Sequence, residues 1–281
     1  LNNVQQCAEP EIRLRLTGLS VVINFHCGVV ALMNAVRDLL RSGETVIGTA
    51  GTITGDMGML ADAGFDFLLF DTQHTPVEVK QMHPAIQSMS GKKAAPIIRV
   101  SANRAELICF ALDAGARGII VPMVNTKAEA EAMVRACKYS PDGDRSNSGP
   151  RGEWGEFDDY RTYMDTVNEE LLIIPMIETQ QAIDNIDEIL SVPGIDVLLI
   201  GPSDLSIELN VPLEFNSDVY DKGLDTIAEA CKRHGVVPGM YFIPPEMDQK
   251  ALIAKGYKFF TQPWAQWATE GIKNGLAELK D

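Results

Sequence analysis

The chain has 281 residues, of which 46% are hydrophobic and 22% charged, the balance of a globular protein that can bury a sizeable core. A formal net charge of −15 argues against a nucleic-acid partner, which needs a basic face. The cysteines at 7, 27, 109, 137 and 231 are odd in number and show no CxxC spacing, so a reducing, cytoplasmic setting is expected rather than a disulfide scaffold or a thiolate zinc site.

At the start of the chain, Arg13 and Arg15 precede the apolar stretch Leu19 to Val36 in a way that resembles a signal peptide. Asn24, His26 and Asn34 interrupt that stretch, so a membrane span is poorly supported. Residues 1–28 are read as a non-catalytic extension, and residues 29–281 as the catalytic domain. Val29, Leu32, Met33, Val36, Leu39 and Leu40 recur at helical spacing and Gly43 supplies a stop, which predicts a helix lying over the bottom of the domain.

Short apolar runs then alternate with helical periodicity. Strands are expected near Thr45, Phe65, Ala94, Gly118, Leu171, Asp196, Val236 and Tyr257. Helices are expected over about 55–63, 76–89, 104–114, 127–139, 180–190, 219–234, 245–254 and 264–279. Eight βα units predict a single (β/α)8 barrel. Ser140 to Asp159 breaks the pattern with Gly, Pro, Ser and Asp, and reads equally as a binding loop over the site or a surface insertion.

Barrel chemistry sits where strands end, so polar residues at those positions are the candidates. They are Asp71, Gln73 and His74, then Arg99, Glu178, and Ser203 with Asp204. Glu178 and Asp204 end neighbouring parallel strands, and two carboxylates there suit a hard divalent ion with open coordination positions. Either has a plain alternative, Glu178 as a helix-dipole partner and Asp204 as an N-cap. Arg99 closes an apolar strand, where a guanidinium needs an anion, whether substrate or a structural salt bridge. His74 lies three residues after Asp71 and is a general base that this carboxylate can orient, or a solvated loop histidine. Gly201-Pro202-Ser203 makes a tight turn whose amides can face a substrate carboxylate. Neither a P-loop nor GxGxxG nor GxSxG occurs.

The ordered motifs FDFLLFDTQHTP, PIIRV, LDAGARGIIVPMV, KYSPDGDR, IPMIET and LLIGPSDLS resemble the metal-dependent, class II pyruvate aldolases of the HpcH/HpaI (4-hydroxy-2-oxoheptanedioate aldolase) type, within the phosphoenolpyruvate/pyruvate barrel superfamily. The resemblance runs from about Met33 to the C-terminus. It implies a lyase that cleaves a 4-hydroxy-2-oxo acid to pyruvate and an aldehyde, with Mg²⁺, Mn²⁺ or Co²⁺ held by Glu178 and Asp204. Arg99 then matches the enolate-stabilising arginine, and His74 with Asp71 the acid/base dyad. Asp113 matches an aspartate that reaches a neighbouring subunit's site, which implies a homo-oligomer, a trimer or a hexamer with exchanged C-terminal helices. Two residues depart from the family pattern: Gln73 stands for Glu, and Met176 for Gln, both beside the expected substrate. The PMIET wording is similar to the citrate lyase β-subunit branch. Oxaloacetate decarboxylation, acyl-CoA cleavage of the citrate lyase kind, and a catalytically idle metabolite-binding barrel are the alternatives.

Overall fold

Runs such as FLLFD and LIIPMI carry apolar residues on both faces, which is what strands enclosed between a barrel interior and a coat of helices require. The computed structural model describes residues 34–279 apart from 53, 55 and 151, together with the backbone of 11–16 and 19–24. The chain divides into two compact units, Leu1–Met33 and Asn34–Asp281. In the first, β1 (Glu11–Leu16) and β2 (Leu19–Asn24) pair antiparallel, with Leu16 opposite Leu19. The expected start of a helix at Val29, and His26, lie outside the described residues.

The second unit is a closed parallel barrel. Its strands are β3 (Val46–Ala50), β4 (Phe67–Asp71), β5 (Ala95–Arg99), β6 (Gly118–Val121), β7 (Leu172–Ile177), β8 (Val197–Ile200), β9 (Val237–Met240) and β10 (Phe259–Gln262). They pair in chain order, and β10 closes on β3. All eight expected strands are therefore present. Alternate residues fill the interior, where Phe67 stacks on Phe259 with ring centroids 4.3 Å apart. Gly48 makes room for that pair, since a Cβ there would lie 2.2 Å from the Phe67 ring. Below them α1 (Ala35–Arg41) inserts Val36 and Leu40 into the same cluster, the bottom helix that the periodicity predicts. Fully burying each such aliphatic side chain contributes roughly 1.5–3 kcal/mol.

The outer helices carry local start and stop signals. In α5 (Lys127–Cys137), Thr126 and Glu129 form a reciprocal capping box. In α10 (Asp218–His234), Ser217 caps the first turn, while Lys232, Arg233 and His234 face the negative end of the helix and Gly235 closes it at φ 69°.

Four departures from the sequence reading matter. The helix expected from Pro76 begins later, as α3 (Val79–Gln87), because Glu78 and Gln81 form its capping box. The segment 180–190 is two short helices, α7 (Gln180–Asp184) and α8 (Ile186–Leu190), parted at Asn185, whose side chain donates to the Asn125 carbonyl at 2.8 Å. Two helices were not expected, α6 (Tyr160–Glu170) and α9 (Pro202–Glu208). Finally, the segment 140–159 does not cover the strand ends. It leaves the end of α5 and leads through α6 into the start of β7, so it lies on the face where strands begin. There Trp154 is buried beneath the Arg117 guanidinium, 3.8 Å from its ring centroid, just ahead of β6. No helix among the described residues is long and apolar enough to cross a membrane.

Candidate active site

The strand ends bring Asp71, Arg99, Met176, Glu178, Ser203 and Asp204 to one end of the barrel. Asp71 and Arg99 are register partners on β4 and β5. Arg99 donates from Nε to Asp71 Oδ1 at 2.8 Å and from Nη2 to Oδ2 at 2.7 Å, a side-on bidentate pair. Only 4% of the Arg99 side chain is exposed, against 14% for Asp71. Burial would weaken the guanidinium's hold on its proton, but Asp71, Tyr241 and Glu178 outweigh it and raise its pKa. Burial likewise works to lift the Asp71 carboxyl, and the bonds from Arg99 and the Gln73 and His74 amides hold it below the usual range.

These contacts revise the expected dyad. Asp71 accepts from the backbone amide of Gln73 at 2.9 Å and from that of His74 at 3.4 Å. Among the described residues its hydrogen bonds do not include the His74 ring. Asp71 thus shapes the loop that carries His74 while its charge is committed to Arg99. The His74 side chain is exposed at the mouth, near enough to Glu178 to favour that carboxylate's charged form. Gln73 keeps its Oε1 buried without a hydrogen-bond partner, an acceptor left available beside the base.

Glu178 follows β7 and is 1% exposed. Its Oε2 accepts from the Met123 amide at 2.8 Å. Met123 reaches that position with φ 54°, a left-handed backbone that a non-glycine residue adopts at a cost of roughly 1–3 kcal/mol. Burial pushes the Glu178 pKa up; the Met123 amide opposes it, Asp204 adds a like charge, and Arg99 and His74 pull the other way, with a net rise. Gly201 caps α9, and Pro202 occupies its first position. Asp204 is an exposed residue of the first turn of α9, so the expected N-cap role belongs to Gly201. Ser203 beside it is half-buried.

Met176 is fully buried, and its Sδ lies 3.8 Å from Arg99 Nη1. A thioether is a weak acceptor and no donor, so this wall of the site lacks the amide that the family pattern has there. A residue the sequence did not single out stands opposite. Tyr241, directly after β9, places its hydroxyl 3.0 Å from Arg99 Nη2 and its ring centroid 4.1 Å from Arg99 Cζ. In the run VVPGMYF it reads as one more core residue, and only the barrel geometry turns it inward.

Asp113 lies elsewhere. As the last residue of α4 (Ala105–Asp113) it sits where strands begin, 3.3 Å from Arg145 Nη2 and 3.0 Å from Ser148 Oγ. It is no part of the site formed by its own chain.

The donor set fits a hard cation. Glu178 and Asp204 are carboxylates, the second close enough to raise the proton affinity of the first; Glu178 is held dry, and Gly201, with no Cβ, lies against its Oε1. Among the described residues no group of three His, Cys, Asp or Glu side chains could hold a metal, so a divalent ion here would rely on oxygens of substrate and water for the rest of its shell.

A model of the family described as HpcH/HpaI aldolase/citrate lyase matches residues 53–263. The 2-keto-3-deoxy-L-rhamnonate aldolase of Escherichia coli (strain K12) is 32% identical over 226 residues, which cover 79% of this chain and 84% of that protein. Among solved structures, an HpcH/HpaI aldolase/citrate lyase family protein from Burkholderia cenocepacia J2315 is similar at a TM-score of 0.77 and 27% identity, covering 88% of this chain and 100% of that one. Citrate synthase SbnG is similar at a TM-score of 0.73 and 27% identity, with 88% and 97% covered. These matches support a divalent metal as cofactor and a small-molecule substrate. The chain belongs to the HpcH/HpaI aldolase/citrate lyase family and is a carbon–carbon lyase on a (β/α)8 barrel.

Proposed function

We propose that this protein cleaves a 4-hydroxy-2-oxo acid to pyruvate and an aldehyde through a pyruvate enolate, and catalyses the reverse addition. The observation that carries the reading is the pairing of a buried cation, Arg99, with a buried carboxylate, Glu178, each acting on the other's charge at the strand ends. Among the described residues the two are not hydrogen-bonded to one another, so each keeps capacity for a polar ligand.

In this reading Glu178 and Asp204 hold Mg²⁺, Mn²⁺ or Co²⁺. An ion held there would supply Lewis acidity, lowering the cost of negative charge on the 2-oxo group. His74, directly or through a water, takes the proton of the C4 hydroxyl. The C3–C4 bond then breaks, its electron pair moves into the C2–C3 enolate, and the aldehyde leaves. Arg99 donates to the oxygen that gains charge, a contact worth most in a dry site. Asp71 fixes the plane of Arg99, Gln73 lines the substrate side beside the base, and Ser203 contacts the substrate carboxylate. Protonation of the enolate at C3 yields pyruvate.

The aldehyde partner is uncharged. Met123 and Phe242, 46% and 36% exposed, lie on loops that leave the strand ends. Among the described residues of the loops from strand ends to helices, the single Lys or Arg is Arg104, and it is paired with Glu106. A second carboxylate would find no free cation there. The remaining partner is a second copy of the chain, in a trimer or hexamer, which would cover the exposed Ile272 and Leu276 of α12 (Trp264–Ala277). A cytoplasmic setting suits the buried thiols of Cys137 and Cys231.

The test is deuterium exchange at the methyl of pyruvate with no aldehyde present. Exchange that depends on Mg²⁺, Mn²⁺ or Co²⁺ and vanishes in Arg99→Ala is expected. Absence of exchange above the metal-free background would remove the enolate mechanism. Decarboxylation of oxaloacetate passes through the same enolate, and comparing its rate with aldol cleavage separates those two activities.

A further inference from the structure

Tyr241 carries no role in the mechanism above, yet it touches the residue at its centre. Arg99 spends Nε and one Nη2 proton on Asp71 and the other Nη2 proton on the Tyr241 oxygen. Its Nη1 faces Met176 Sδ, too weak an acceptor to satisfy two protons. A guanidinium cannot accept, so in its contact with Arg99 the phenol oxygen is the acceptor, and its own proton is left to donate. Among the described residues no protein acceptor takes that proton. One N–H of Arg99 and the O–H of Tyr241 are therefore both unspent.

We infer that Tyr241 is the second hydrogen-bond donor to the substrate oxygen that becomes negative in the enolate, acting beside Arg99 and supplying the polar contact that Met176 lacks. This rests on the enolate mechanism proposed above. Three features favour a donor over a packing residue. The phenol oxygen accepts from a cation, which polarises its O–H and strengthens donation. Burial, opposed by Arg99 and helped by Asp71, raises the phenol's pKa, so it stays protonated at neutral pH. The backbone is clamped on both sides: the Tyr241 amide donates to the Ile200 carbonyl at 2.9 Å, and the Thr261 hydroxyl donates to the Tyr241 carbonyl. A donor held still before the reaction starts is what stabilisation of a developing oxyanion needs.

Tyr241→Phe separates the two roles, because phenylalanine keeps the ring over the guanidinium and removes only the hydroxyl. Methyl exchange in pyruvate with Mn²⁺ is expected to fall in kcat by roughly a hundredfold, with KM changed less than about threefold. Calorimetric affinity for oxalate, a planar analogue of the enolate, should weaken about tenfold. The double variant Tyr241→Phe/Met176→Gln should regain part of the exchange, since an amide restores a donor beside Arg99; a packing role predicts no such recovery. As a second route, 3-fluorotyrosine at position 241, a more acidic phenol, should move the alkaline limb of the pH–rate profile to lower pH. Exchange in Tyr241→Phe within about twofold of wild type, or a limb that stays in place, overturns the inference while leaving the aldolase reading intact. A wild-type protein that neither exchanges nor binds oxalate overturns both.

Discussion

A methyl group built on Gly201 would lie 2.6 Å from Oε1 of Glu178, and 2.8 Å from its Cγ. Gly201 has φ −90°, so alanine is acceptable to the backbone there and the conflict is purely one of space. Gly201→Ala must displace the Glu178 carboxylate from the Met123 amide. Affinity for Mn²⁺, followed by calorimetry, and methyl exchange in pyruvate should each fall roughly 10–100-fold, the size expected when a ligand's support is disturbed.

Asp71 is the counter-charge of a guanidinium that is nearly sealed from solvent. Asp71→Asn leaves that cation underpaired, and a loss of roughly 3 kcal/mol in urea unfolding is expected. Replacing both members, Asp71→Leu with Arg99→Met, removes the buried charge altogether and should recover most of the stability. It should recover no exchange. Recovery of both would show that the pair is structural and has no part in the chemistry.

Asp196 sits at the opposite end of the barrel, 3.0 Å from Arg37 of α1. Burial pushes its carboxyl up to about 6 in spite of Arg37, the Ile173 amide, Lys138 and Arg41, all of which pull it down. Its folded pKa is thus above the unfolded value, so the folded state binds the extra proton between about 4 and about 6. The stability this group contributes is complete below that window and is lost as pH rises through it, by up to roughly 3 kcal/mol. Urea titrations across the window should show a slope in wild type that is reduced in Asp196→Asn; identical slopes would remove Asp196 as its source.

The barrel was legible because strands buried on both faces leave unbroken apolar runs, and their spacing was regular. Helix α6 was not, since YRTYMDTVNEE buries only Tyr163, Val167 and Asn168 and looks polar along its length. Asn168 earns its burial through tertiary contacts, accepting from the Tyr139 amide at 2.7 Å and donating to the Tyr139 carbonyl at 2.9 Å. At the site, carboxylates and Arg99 stood out as polar residues closing apolar strands. Tyr241 gave no such contrast, and Gly201 looked like any turn glycine. The partner of Asp71 was also hidden, because sequence proximity favoured His74 while the strand register delivers Arg99.

Strand-end loops whose described residues offer no unpaired Lys or Arg lead to a preference among acceptor aldehydes. With pyruvate as donor, kcat/KM for propionaldehyde or lactaldehyde should exceed that for succinic semialdehyde by at least about tenfold, the difference made by one carboxylate without a partner. The reverse order, measured by coupled assay of product formation, would place a cation at the mouth, contributed from outside the described loops.

Helix α12 buries none of its own residues, and Ile272 and Leu276 are 62% and 49% exposed. Light scattering is expected to give a multiple of 30.7 kDa for the wild-type chain. Ile272→Glu with Leu276→Glu should reduce that mass. A wild-type monomer, or a double variant with unchanged mass, would rule out this face as the contact between copies.

The segment 140–159 packs against the starts of the strands, with Trp154 tucked under Arg117, while Arg99 and Glu178 work at their ends. The barrel therefore carries its candidate chemistry at one end and this segment at the other. A support or fusion partner attached through the exposed Asn147 and Ser148 would hold the protein by its back, leaving the barrel mouth open to reactants.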